Sequence, residues 1–475
     1  MQAFKAGDVI DGFELTDKLA SGGMGSLWRA RHKVMGDKLV LKLPFLDPGR
    51  DVSTIVGYEV EEMIMKRLSG PHVPKYAGSG DLSSIPYIAM EFIEGTALSS
   101  EIENAPINVE KLTDIGVKIA TALASLHGQM VTHLDLKPDN IFLTDRGAVL
   151  IDFGLARNSK LPDLLAEESN VPMGTPAYIA PEQILGDRTY PTSDIFALGC
   201  ILYELATGEK PFGEPGGKAG MQRRIYHDPR PPRAINPAIP RWMQEVILKC
   251  MEVDPARRYL SAGSLLADFN HPEQIRLTER GNRDVDAGFL SRILRRFRRQ
   301  SVVTARILAG ANAAHSGASV ILVAVDLTNG VEALAGEVRG EVARALYSRP
   351  DSKLACVTIL KTKLVGEDTV VDGDGRSLYI GRLVDLKHWA EQLDLPEDRI
   401  SFHVIEAFDI PNAILNYAAN NDVGHIIIGA RGSSALRRHL GSVSAQVVAE
   451  ALCSVSVVRI KRQEELARDA EGSER

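Results

Sequence analysis

Residues 133–140 read His-Leu-Asp-Leu-Lys-Pro-Asp-Asn, and residues 152–154 read Asp-Phe-Gly. Phosphoryl transfer requires a carboxylate that orients and deprotonates the attacking hydroxyl, oxygen ligands for a metal ion and a cation near the migrating charge. The two stretches supply that set in Asp135, Lys137, Asn140 and Asp152. An ordinary loop gives no reason for these residue types to recur in this order, so the pattern indicates phosphoryl-transfer chemistry.

A glycine-rich turn precedes these stretches, between two segments with strand patterns. Residues 19–27 read Leu-Ala-Ser-Gly-Gly-Met-Gly-Ser-Leu, and glycines let a backbone approach phosphates and point N–H groups at them. A plain glycine hairpin explains the turn equally well. Lys42 stands in the apolar segment Leu39–Leu43, where a lysine is unusual. It either extends to solvent from an edge strand or lies over phosphates, paired with Glu61, which its spacing favours, or with Glu62.

Residues 10–270 resemble, in order and over their whole length, a eukaryotic-type protein kinase domain of the kind that bacteria carry. The resemblance implies an α+β bilobal protein kinase fold, with a strand-rich front and a helix-rich back. It also implies ATP and Mg²⁺ as cofactors and Ser or Thr hydroxyls of protein substrates as acceptors. The implied catalytic residues are Asp135 as base, its companion Lys137, and the pair Lys42 and Glu61. The implied metal ligands are Asn140 and Asp152.

The same resemblance assigns an ATP pocket. The residues implied to contact ATP are Leu19, Ala20, Ser21, Gly22, Gly23, Met24, Gly25, Leu27, Val40, Lys42, Met90, Glu91 and Ile93. Met90 matches the gatekeeper position, and residues 91–93 match the hinge whose backbone bonds adenine. We therefore expect adenine to lie between the two lobes, with its phosphates under the glycine-rich turn.

Further matches concern the support of the catalytic loop and the seating of the substrate. Residues 174–178 resemble the loop that seats the protein substrate. Glu182, which closes the activation segment, is expected to pair with Arg258. Asp194 resembles the buried aspartate that anchors the catalytic loop.

Three positions depart from the family pattern. Ala20 replaces the first glycine of the turn, which we expect to weaken ATP binding without abolishing it, and Val40 replaces the alanine above adenine. Leu134 stands where many kinases have an arginine that pairs with a phosphate on the activation segment. That segment offers only Ser159 and Ser169 as hydroxyl side chains before residue 174. We therefore expect an activity that does not depend on phosphorylation of this segment.

Residues 302–460 alternate apolar strand patterns with helical ones, which predicts an α/β doubly wound parallel sheet. Ligands of such sheets bind beyond the carboxyl ends of the strands. Asp326 follows the first strand, and residues 429–432, Gly-Ala-Arg-Gly, follow a later one. Gly441 and Ser442 then open a helix, which is a phosphate-binding arrangement. A tight turn explains the glycines equally well.

Together these residues resemble the nucleotide-binding members of the universal stress protein family. The spacer at residues 433–440 is one residue shorter than the family's, and residues 366–376 look like an inserted loop. The resemblance implies that ATP or a related adenine nucleotide binds here, with Asp326 at the adenosine. The residues implied at the phosphates are Gly429, Gly432, Gly441 and Ser442. It also raises the expectation of a homodimer through the strand at residues 455–460.

A polar and then strongly basic stretch, residues 271–301, separates the two regions, and a charged tail occupies residues 461–475. Arginines crowd between Arg292 and Arg299, while the apolar residues around them fall on one face of a helix. Such a helix either docks its apolar face on a neighbouring domain, which is the simpler interpretation, or contacts an anionic membrane surface or a partner.

The composition of the 475-residue chain is ordinary for a globular protein, with 44% apolar and 25% charged residues. A net charge of −7 gives no reason to expect nucleic-acid binding. The four cysteines are far apart, which argues against a zinc site or a disulfide framework and favours a cytoplasmic location. We find no signal-peptide pattern. The nearest candidate for a membrane span, residues 301–327, contains charged residues and an apolar run of only strand length.

Two functions remain open from the sequence. The first is an active Ser/Thr protein kinase that also phosphorylates itself and carries a nucleotide-sensing or dimerising module. The alternative is a catalytically weak, pseudokinase-like scaffold that binds nucleotide, suggested by Ala20, Val40 and Leu134. None of these three departures removes a catalytic group, so the sequence favours the active kinase.

Overall fold

The computed structural model describes residues 4–22, 25–45, 53–168, 171–283, 320–327, 332–362, 371, 377–430 and 442–459. These residues form two compact units, the first described up to residue 283 and the second from residue 320. Each unit has its own hydrophobic core. The predicted basic helix at Arg292–Arg299 lies outside the described residues. Within them, no helix is both long and apolar enough to cross a membrane.

The first unit begins with a curled antiparallel sheet. Its strands are β1 (Val9–Ile10), β2 (Phe13–Ser21), β3 (Gly25–His32), β4 (Gly36–Pro44), β5 (Tyr76–Ser79) and β6 (Ile88–Glu91), in the order β1-β2-β3-β4-β6-β5. Alternate residues of β3 are buried, namely Ser26, Trp28 and Ala30, as expected for a sheet with one buried face. Helix α1 (Ser53–Met65) connects β4 to β5 and contacts β4. The strand that carries Lys42 therefore lies against a helix.

The rest of the first unit is mainly helical. Its helices are α2 (Ser99–Ile102), α3 (Val109–Gly128), α4 (Leu164–Glu168), α5 (Pro181–Ile184), α6 (Thr192–Thr207), α7 (Gly217–Tyr226), α8 (Pro232–Ile235), α9 (Arg241–Cys250) and α10 (Ala262–Asn270). Every residue of α6 is buried, so this helix forms the centre of the lobe, with α3 and α9 against it. Asn108 begins α3 by accepting a hydrogen bond from the N–H of Lys111 at 2.8 Å. The predicted bilobal α+β fold is confirmed.

Short strands carry the two stretches on which the functional prediction rests. β7 (Thr96–Ala97), β9 (Ile141–Thr144) and β10 (Gly147–Leu150) form one antiparallel sheet, and β8 (Val131–Thr132) pairs with β11 (Arg157–Asn158). Residues 133–140 lie between β8 and β9, and residues 152–154 follow β10. Because both stretches are flanked by paired strands, their backbones start and end at fixed positions.

The segment that follows α10 docks back on the helical lobe. Glu245, on α9, accepts hydrogen bonds from the N–H groups of Thr278 at 2.9 Å and Gly281 at 2.8 Å. Arg280 forms an ion pair with the same carboxylate at 2.8 Å. Gln244 donates to the carbonyl of Arg280, also at 2.8 Å. Since Glu245 and Gln244 are buried, the first part of the predicted linker is an integral part of the lobe.

The second unit contains a parallel sheet. Its strands are β12 (Val320–Ala324), β13 (Lys353–Lys361), β14 (Ile400–Ala407), β15 (Val423–Gly429) and β16 (Ser454–Val458), in the order β14-β13-β12-β15-β16. Its helices are α11 (Glu332–Ser348), α12 (Leu378–Glu391), α13 (Ile410–Asn420) and α14 (Ser442–Glu450). One core contains residues of α11 and α12, and a separate core contains residues of α13 and α14. Helices therefore cover both faces, and the predicted doubly wound sheet is confirmed.

Candidate active site

The glycine-rich turn joins β2 to β3 and is closed by its own backbone. The N–H of Gly22 donates to the carbonyl of Gly25 at 3.0 Å. A Cβ atom at Gly25 would lie 2.5 Å from the carbonyl oxygen of Leu43, so a side chain does not fit where β4 passes. The tip residues of the turn, Gly23 and Met24, lie outside the described residues. The turn is thus held close to the strand that carries Lys42.

Lys42 is the centre of an ion-pair network. Its Nζ lies 2.6 Å from Oε2 of Glu61, on α1, and 2.8 Å from Oδ1 of Asp152. The side chain of Glu61 is only 3% exposed, so this carboxylate has little access to any other cation. The structure thus brings together three of the predicted site residues, from β4, α1 and the Asp-Phe-Gly stretch.

The two glutamates left open by the sequence have different partners. Glu61 faces Lys42, whereas Glu62 accepts a hydrogen bond from the hydroxyl of Ser79 at 2.5 Å. Glu62 also forms an ion pair with Lys66, one turn along α1, at 2.9 Å. Glu61 is therefore the partner of Lys42, as its spacing favoured.

The charges of this network are set by opposing effects. Burial disfavours the Lys42 ammonium, but the two carboxylates outweigh burial and raise the pKa of Lys42. Burial would also raise the pKa of Asp152, yet the nearby Lys42 ammonium lowers it to about 2. For Glu61, burial prevails over the attraction of Lys42 and raises the pKa. A charged lysine next to an ionised Asp152 is therefore the state at neutral pH.

The positions implied for adenine provide an apolar wall. Val40 and Met90 are cross-strand partners on β4 and β6, and both are buried. Ile93 is buried as well, while Leu19, at the end of β2, is exposed. Ala20 faces Leu27 across the β2–β3 ladder. The structure thus places a buried apolar surface where the sequence predicts the adenine ring.

Three side chains converge on Asp135 in the catalytic loop. Its Oδ1 accepts hydrogen bonds from both the N–H and the hydroxyl of Thr175, each at 2.7 Å. Nζ of Lys137 lies 3.2 Å from the other carboxylate oxygen. The Nδ2 of Asn140 donates to the backbone carbonyl of Asp135 at 3.0 Å. The carboxylate is therefore oriented from the substrate-seating loop on one side and from its own loop on the other.

The predicted metal ligands, Asn140 and Asp152, offer the donor types that Mg²⁺ prefers. Because the nitrogen of Asn140 donates to Asp135, its amide oxygen is the atom that remains for a metal ion, and Asp152 supplies an ionised carboxylate. Within the described ranges, no group of three or more Asp, Glu, His or Cys side chains forms a metal cage. Mg²⁺ is usually bound by one or two protein ligands together with water and substrate phosphates, so these residues fit the ion.

Asp194, at the start of α6, holds the catalytic loop in an unusual backbone conformation. Leu134 has a φ of 62°, which costs a residue with a side chain about 1–3 kcal/mol. The carboxylate of Asp194 accepts the N–H groups of His133 and Leu134, each at 2.8 Å, and lies 2.8 Å from Nε2 of His127. Burial alone would raise the pKa of Asp194, but His127 and its other partners lower it. The predicted anchor is therefore present.

The activation segment contains an ion pair that the sequence did not suggest. Asp163, directly before α4, accepts hydrogen bonds from Nε of Arg188 at 3.2 and 3.1 Å. Nη2 of Arg188 donates to the carbonyl of Leu155 at 3.0 Å, and Nε of Arg157 lies 3.4 Å from Asp163. These contacts tie the first half of the segment to Arg188, which follows the end of the segment, without a phosphate. Of the two serines noted in the sequence, Ser159 is described and Ser169 is not.

A fully buried ion pair supports the end of this segment. The guanidinium of Arg258 contacts both carboxylate oxygens of Glu182, at 2.6 and 2.7 Å, and both side chains are 0% exposed. The hydroxyl of Ser193 donates to the same carboxylate at 2.6 Å. The predicted pairing of Glu182 with Arg258 is therefore present.

Two buried arginines gave no signal in the sequence. Arg188 stands in a Gly-Asp-Arg-Thr stretch that reads as an exposed turn, and Arg224 stands in a polar helix next to Arg223, which reads as a solvated face. Both arginines are in fact buried. Arg188 is buried against Asp163 and the carbonyl of Leu155, and Arg224 against carbonyls of residues 176–179, so the burial of both is a property of the fold.

The structure describes part of the site predicted in the second unit. β12 and β15 are neighbouring parallel strands, with Ala324 opposite Ile428, so Asp326, just beyond β12, and Gly429, the last residue of β15, lie at the same edge of the sheet. A Cβ atom at Gly429 would lie 3.0 Å from the side chain of Leu334 on α11. Ser442 begins α14. The remaining predicted residues, Gly432 and Gly441, lie outside the described residues.

Comparisons with known proteins match both units. A family model described as the protein kinase domain matches residues 13–269, and one described as the universal stress protein family matches residues 304–459. A probable serine/threonine-protein kinase of Clostridium perfringens is 31% identical over 258 residues, which is 54% of this chain and 37% of that protein. The serine/threonine-protein kinase PknH of Mycobacterium bovis is 32% identical over 266 residues, or 56% of this chain and 44% of that protein.

The chain thus spans less than half the length of these curated relatives. Among solved structures, the kinase domain of PknI from Mycobacterium tuberculosis is 21% identical, with a TM-score of 0.45. That match covers 57% of this chain and 100% of the solved chain.

Proposed function

The chain belongs to the protein kinase family, with a universal stress protein domain on its C-terminal side, and from this premise we propose that it transfers the γ-phosphate of ATP to Ser or Thr hydroxyls of proteins, including its own. One observation carries the proposal: the predicted parts lie in a continuous chain of contacts. Lys42 bonds Asp152, the carbonyl of Asn140 accepts the N–H of Ile151, and Asn140 bonds Asp135.

Asp135 is the base in this proposal. The acceptor hydroxyl approaches its carboxylate and loses its proton to it as the hydroxyl oxygen attacks the γ-phosphorus, while the bond from phosphorus to the β-phosphate oxygen breaks and ADP leaves. Lys137, 3.2 Å from Asp135, places a positive charge beside the migrating phosphoryl group. Thr175 holds the carboxylate in position from the substrate-seating loop.

Lys42 binds the α- and β-phosphates, and its pairing with Glu61 fixes where its ammonium lies. Asn140 and Asp152 would hold Mg²⁺, which would supply neutralisation of charge on the phosphate oxygens. The apolar wall from Val40 and Met90 receives adenine. These assignments use each residue in the chemical state described above, with Lys42 charged and Asp152 ionised.

The activity in this proposal needs no phosphate on the activation segment. Leu134 cannot pair with a phosphate, and the segment is instead tied by the carboxylate of Asp163, which two arginines, Arg188 and Arg157, approach. In this proposal the Asp163 carboxylate accepts the guanidinium N–H groups that, in many kinases, bind a phosphate on the activation segment. The segment is therefore ordered by ion pairs that require no covalent modification.

The test is incubation of the full chain with radiolabelled ATP and Mg²⁺, followed by mapping of the labelled sites. We expect the label on Ser and Thr, and an Asp135→Asn variant should lose nearly all of it because the base is removed. The matched control is Asp139→Asn, the same change at an exposed position of the same loop. Equal labelling of the wild type and the Asp135→Asn variant would remove the kinase proposal and favour a nucleotide-binding scaffold.

For the second unit we propose an adenine-nucleotide site at the sheet edge that follows β12 and β15, together with dimerisation through the edge strand β16. The shared edge of Asp326 and Gly429 and the helix start at Ser442 support the site. Equilibrium dialysis of a Lys42→Met chain with radiolabelled ATP separates this site from the kinase cleft. Binding that Asp326→Ala abolishes supports the proposal, and its absence in the parent variant contradicts it. Sedimentation velocity tests the dimer.

A further inference from the structure

Helix α7 carries a buried cation that the catalytic assignments leave unused. Arg224 is 1% exposed, whereas its neighbour Arg223 is exposed. Burial lowers the pKa of Arg224, as expected for a charge removed from water. A guanidinium is seldom buried without strong acceptors, because its desolvation must be offset by hydrogen bonds or by a counter-charge. The partners of Arg224 therefore indicate what it does.

These partners are backbone carbonyls of the substrate-seating loop. Nη1 of Arg224 donates to the carbonyl of Ile179 at 2.5 Å and approaches that of Ala177 at 3.5 Å, and Nη2 donates to the carbonyl of Pro176. Nε donates within the helix, to the carbonyl of Met221 at 3.2 Å. In the part of the chain that the structure describes, the hydrogen bonds of Arg224 go to carbonyls and none goes to a carboxylate. The planar fork of the guanidinium thus fixes several peptide planes of one loop.

A stack of rings and guanidinium groups holds Arg224 in place. Its guanidinium carbon lies 5.0 Å from the ring centroid of Phe212, and Phe212 stacks on Phe196 with centroids 6.0 Å apart and an angle of 10° between the planes. The guanidinium of Arg258, which pairs with Glu182, lies 5.0 Å from the ring of Phe196. Arg224 is therefore joined, through two stacked rings, to the fully buried ion pair of Arg258 and Glu182.

The loop that Arg224 holds also contacts the proposed base. Thr175, one residue before Pro176, donates both its N–H and its hydroxyl to Asp135 at 2.7 Å. Asp135 thus fixes the loop at Thr175, and Arg224 fixes the segment that follows, at the carbonyls of residues 176, 177 and 179. A shift of this loop would move the surface that binds the acceptor relative to Asp135. It would leave the contacts of Lys42 with Glu61 and Asp152 in place, because these residues lie outside the loop.

We propose that Arg224 is a positioning residue for the protein acceptor: by holding the carbonyls of Pro176, Ala177 and Ile179, it sets the surface on which the acceptor segment lies beside Asp135. The inference rests on the proposed kinase function. It assigns Arg224 to recognition of the acceptor and not to binding of ATP. Loss of a positioning role should raise KM for the protein acceptor alone, whereas loss of a general structural role should raise KM for ATP as well.

The test uses full-length chains with Arg224→Met, Arg224→Lys or Arg223→Met, with dephosphorylated casein as the acceptor. We expect Arg224→Met to raise KM for casein by about tenfold or more, because charge-assisted hydrogen bonds are lost, and to leave KM for ATP within about twofold. Hydrolysis of ATP without acceptor should stay close to wild type. Arg224→Lys should be intermediate, since a lysine keeps the charge but not the planar fork. Arg223→Met should match the wild type.

Amide hydrogen exchange of residues 174–180 provides a second measurement that needs no turnover. Exchange should be faster in Arg224→Met than in Arg223→Met, and unchanged in the glycine-rich turn. The inference would be overturned if the two variants exchanged at the same rate or had the same KM for casein. It would also be overturned if Arg224→Met raised KM for casein and KM for ATP equally. If the wild type labels neither casein nor itself, the kinase proposal fails instead, and the exchange comparison still decides whether Arg224 orders the loop.

Discussion

Replacing Arg258 by methionine should strongly destabilise the helical lobe. The change leaves the Glu182 carboxylate buried, with the hydroxyl of Ser193 as the donor that remains from the contacts described above. Both partners of the ion pair are 0% exposed, so water cannot solvate the remaining charge. Removing one partner of a buried pair costs about 3–5 kcal/mol. At about 2–4 °C per kcal/mol for a domain of this size, the melting temperature should fall by about 6–20 °C.

The adjacent residue offers a matched control. Arg257 lies 3.7 Å from Glu252 with its own side chain 62% exposed, and Glu252 keeps a second partner in Arg280 at 2.7 Å. An ion pair with a solvated arginine of this kind contributes about 0–1 kcal/mol. Calorimetry of the full chain should therefore show a large shift for Arg258→Met, a small one for Arg257→Met, and an unchanged transition of the second unit. A double variant, Arg258→Met with Glu182→Gln, should recover part of the loss because no buried charge remains.

Equal shifts in melting temperature for Arg258→Met and Arg257→Met would refute this reasoning, because burial of the ion pair would then not determine the loss of stability. A double variant less stable than Arg258→Met would also contradict it, since the cost assigned to the unpaired carboxylate would be absent.

Three further predictions concern the cleft and the activation segment. Glu61→Gln should lower the rate of phosphoryl transfer by about tenfold or more, because Lys42 loses the carboxylate on α1 that fixes its position. Glu62→Gln should stay close to wild type, and similar losses of rate in both variants would contradict the pairing. Lys42→Met should be less stable than wild type at neutral pH, because it leaves the buried Glu61 carboxylate without its cation. Burial already raises the pKa of Glu61 and Lys42 opposes that rise, so Glu61 in the variant should take up a proton more readily, and the stability difference should narrow as the pH falls. A pH series of melting temperatures checks the sign. Asp163→Asn should lower kcat, because the activation segment loses its ion pairs with Arg188 and Arg157, and Ser159→Ala should leave kcat unchanged. If phosphatase treatment removed the activity and Ser159→Ala abolished it, the proposal that Asp163 orders the segment would be contradicted.

Residues that take part in the chemistry were predictable from the sequence, because phosphoryl transfer restricts both their type and their order. Asp135, Asn140 and Asp152 stand at spacings that short loops between strands impose, and the structure shows such loops. Glu61 and Glu62 were not separable with certainty, since adjacent residues of a helix differ by only about 100° in direction and only the packing of α1 against β4 decides which one faces Lys42.

Two supporting residues, unlike Asp194 and Arg258, were not predictable, for a different reason. Arg188 and Arg224 are polar residues in polar segments, and their burial results from contacts between segments far apart in the chain. Helix α12 was also missed, because it follows a glycine- and aspartate-rich stretch that reads as an inserted loop. The docking of Thr278 and Arg280 on Glu245 likewise depends on α9, more than 30 residues earlier in the chain.

The conformation of the catalytic loop at Leu134 bears on how such enzymes diversify. The left-handed backbone there is enforced by Asp194, which is 60 positions away and accepts the main-chain N–H groups of His133 and Leu134 in this loop. Since the anchor does not touch the side chain, mutation can exchange arginine for leucine at this position and leave the shape of the loop intact. A single substitution at this position can therefore add or remove control by a phosphate on the activation segment, while the catalytic loop keeps its conformation.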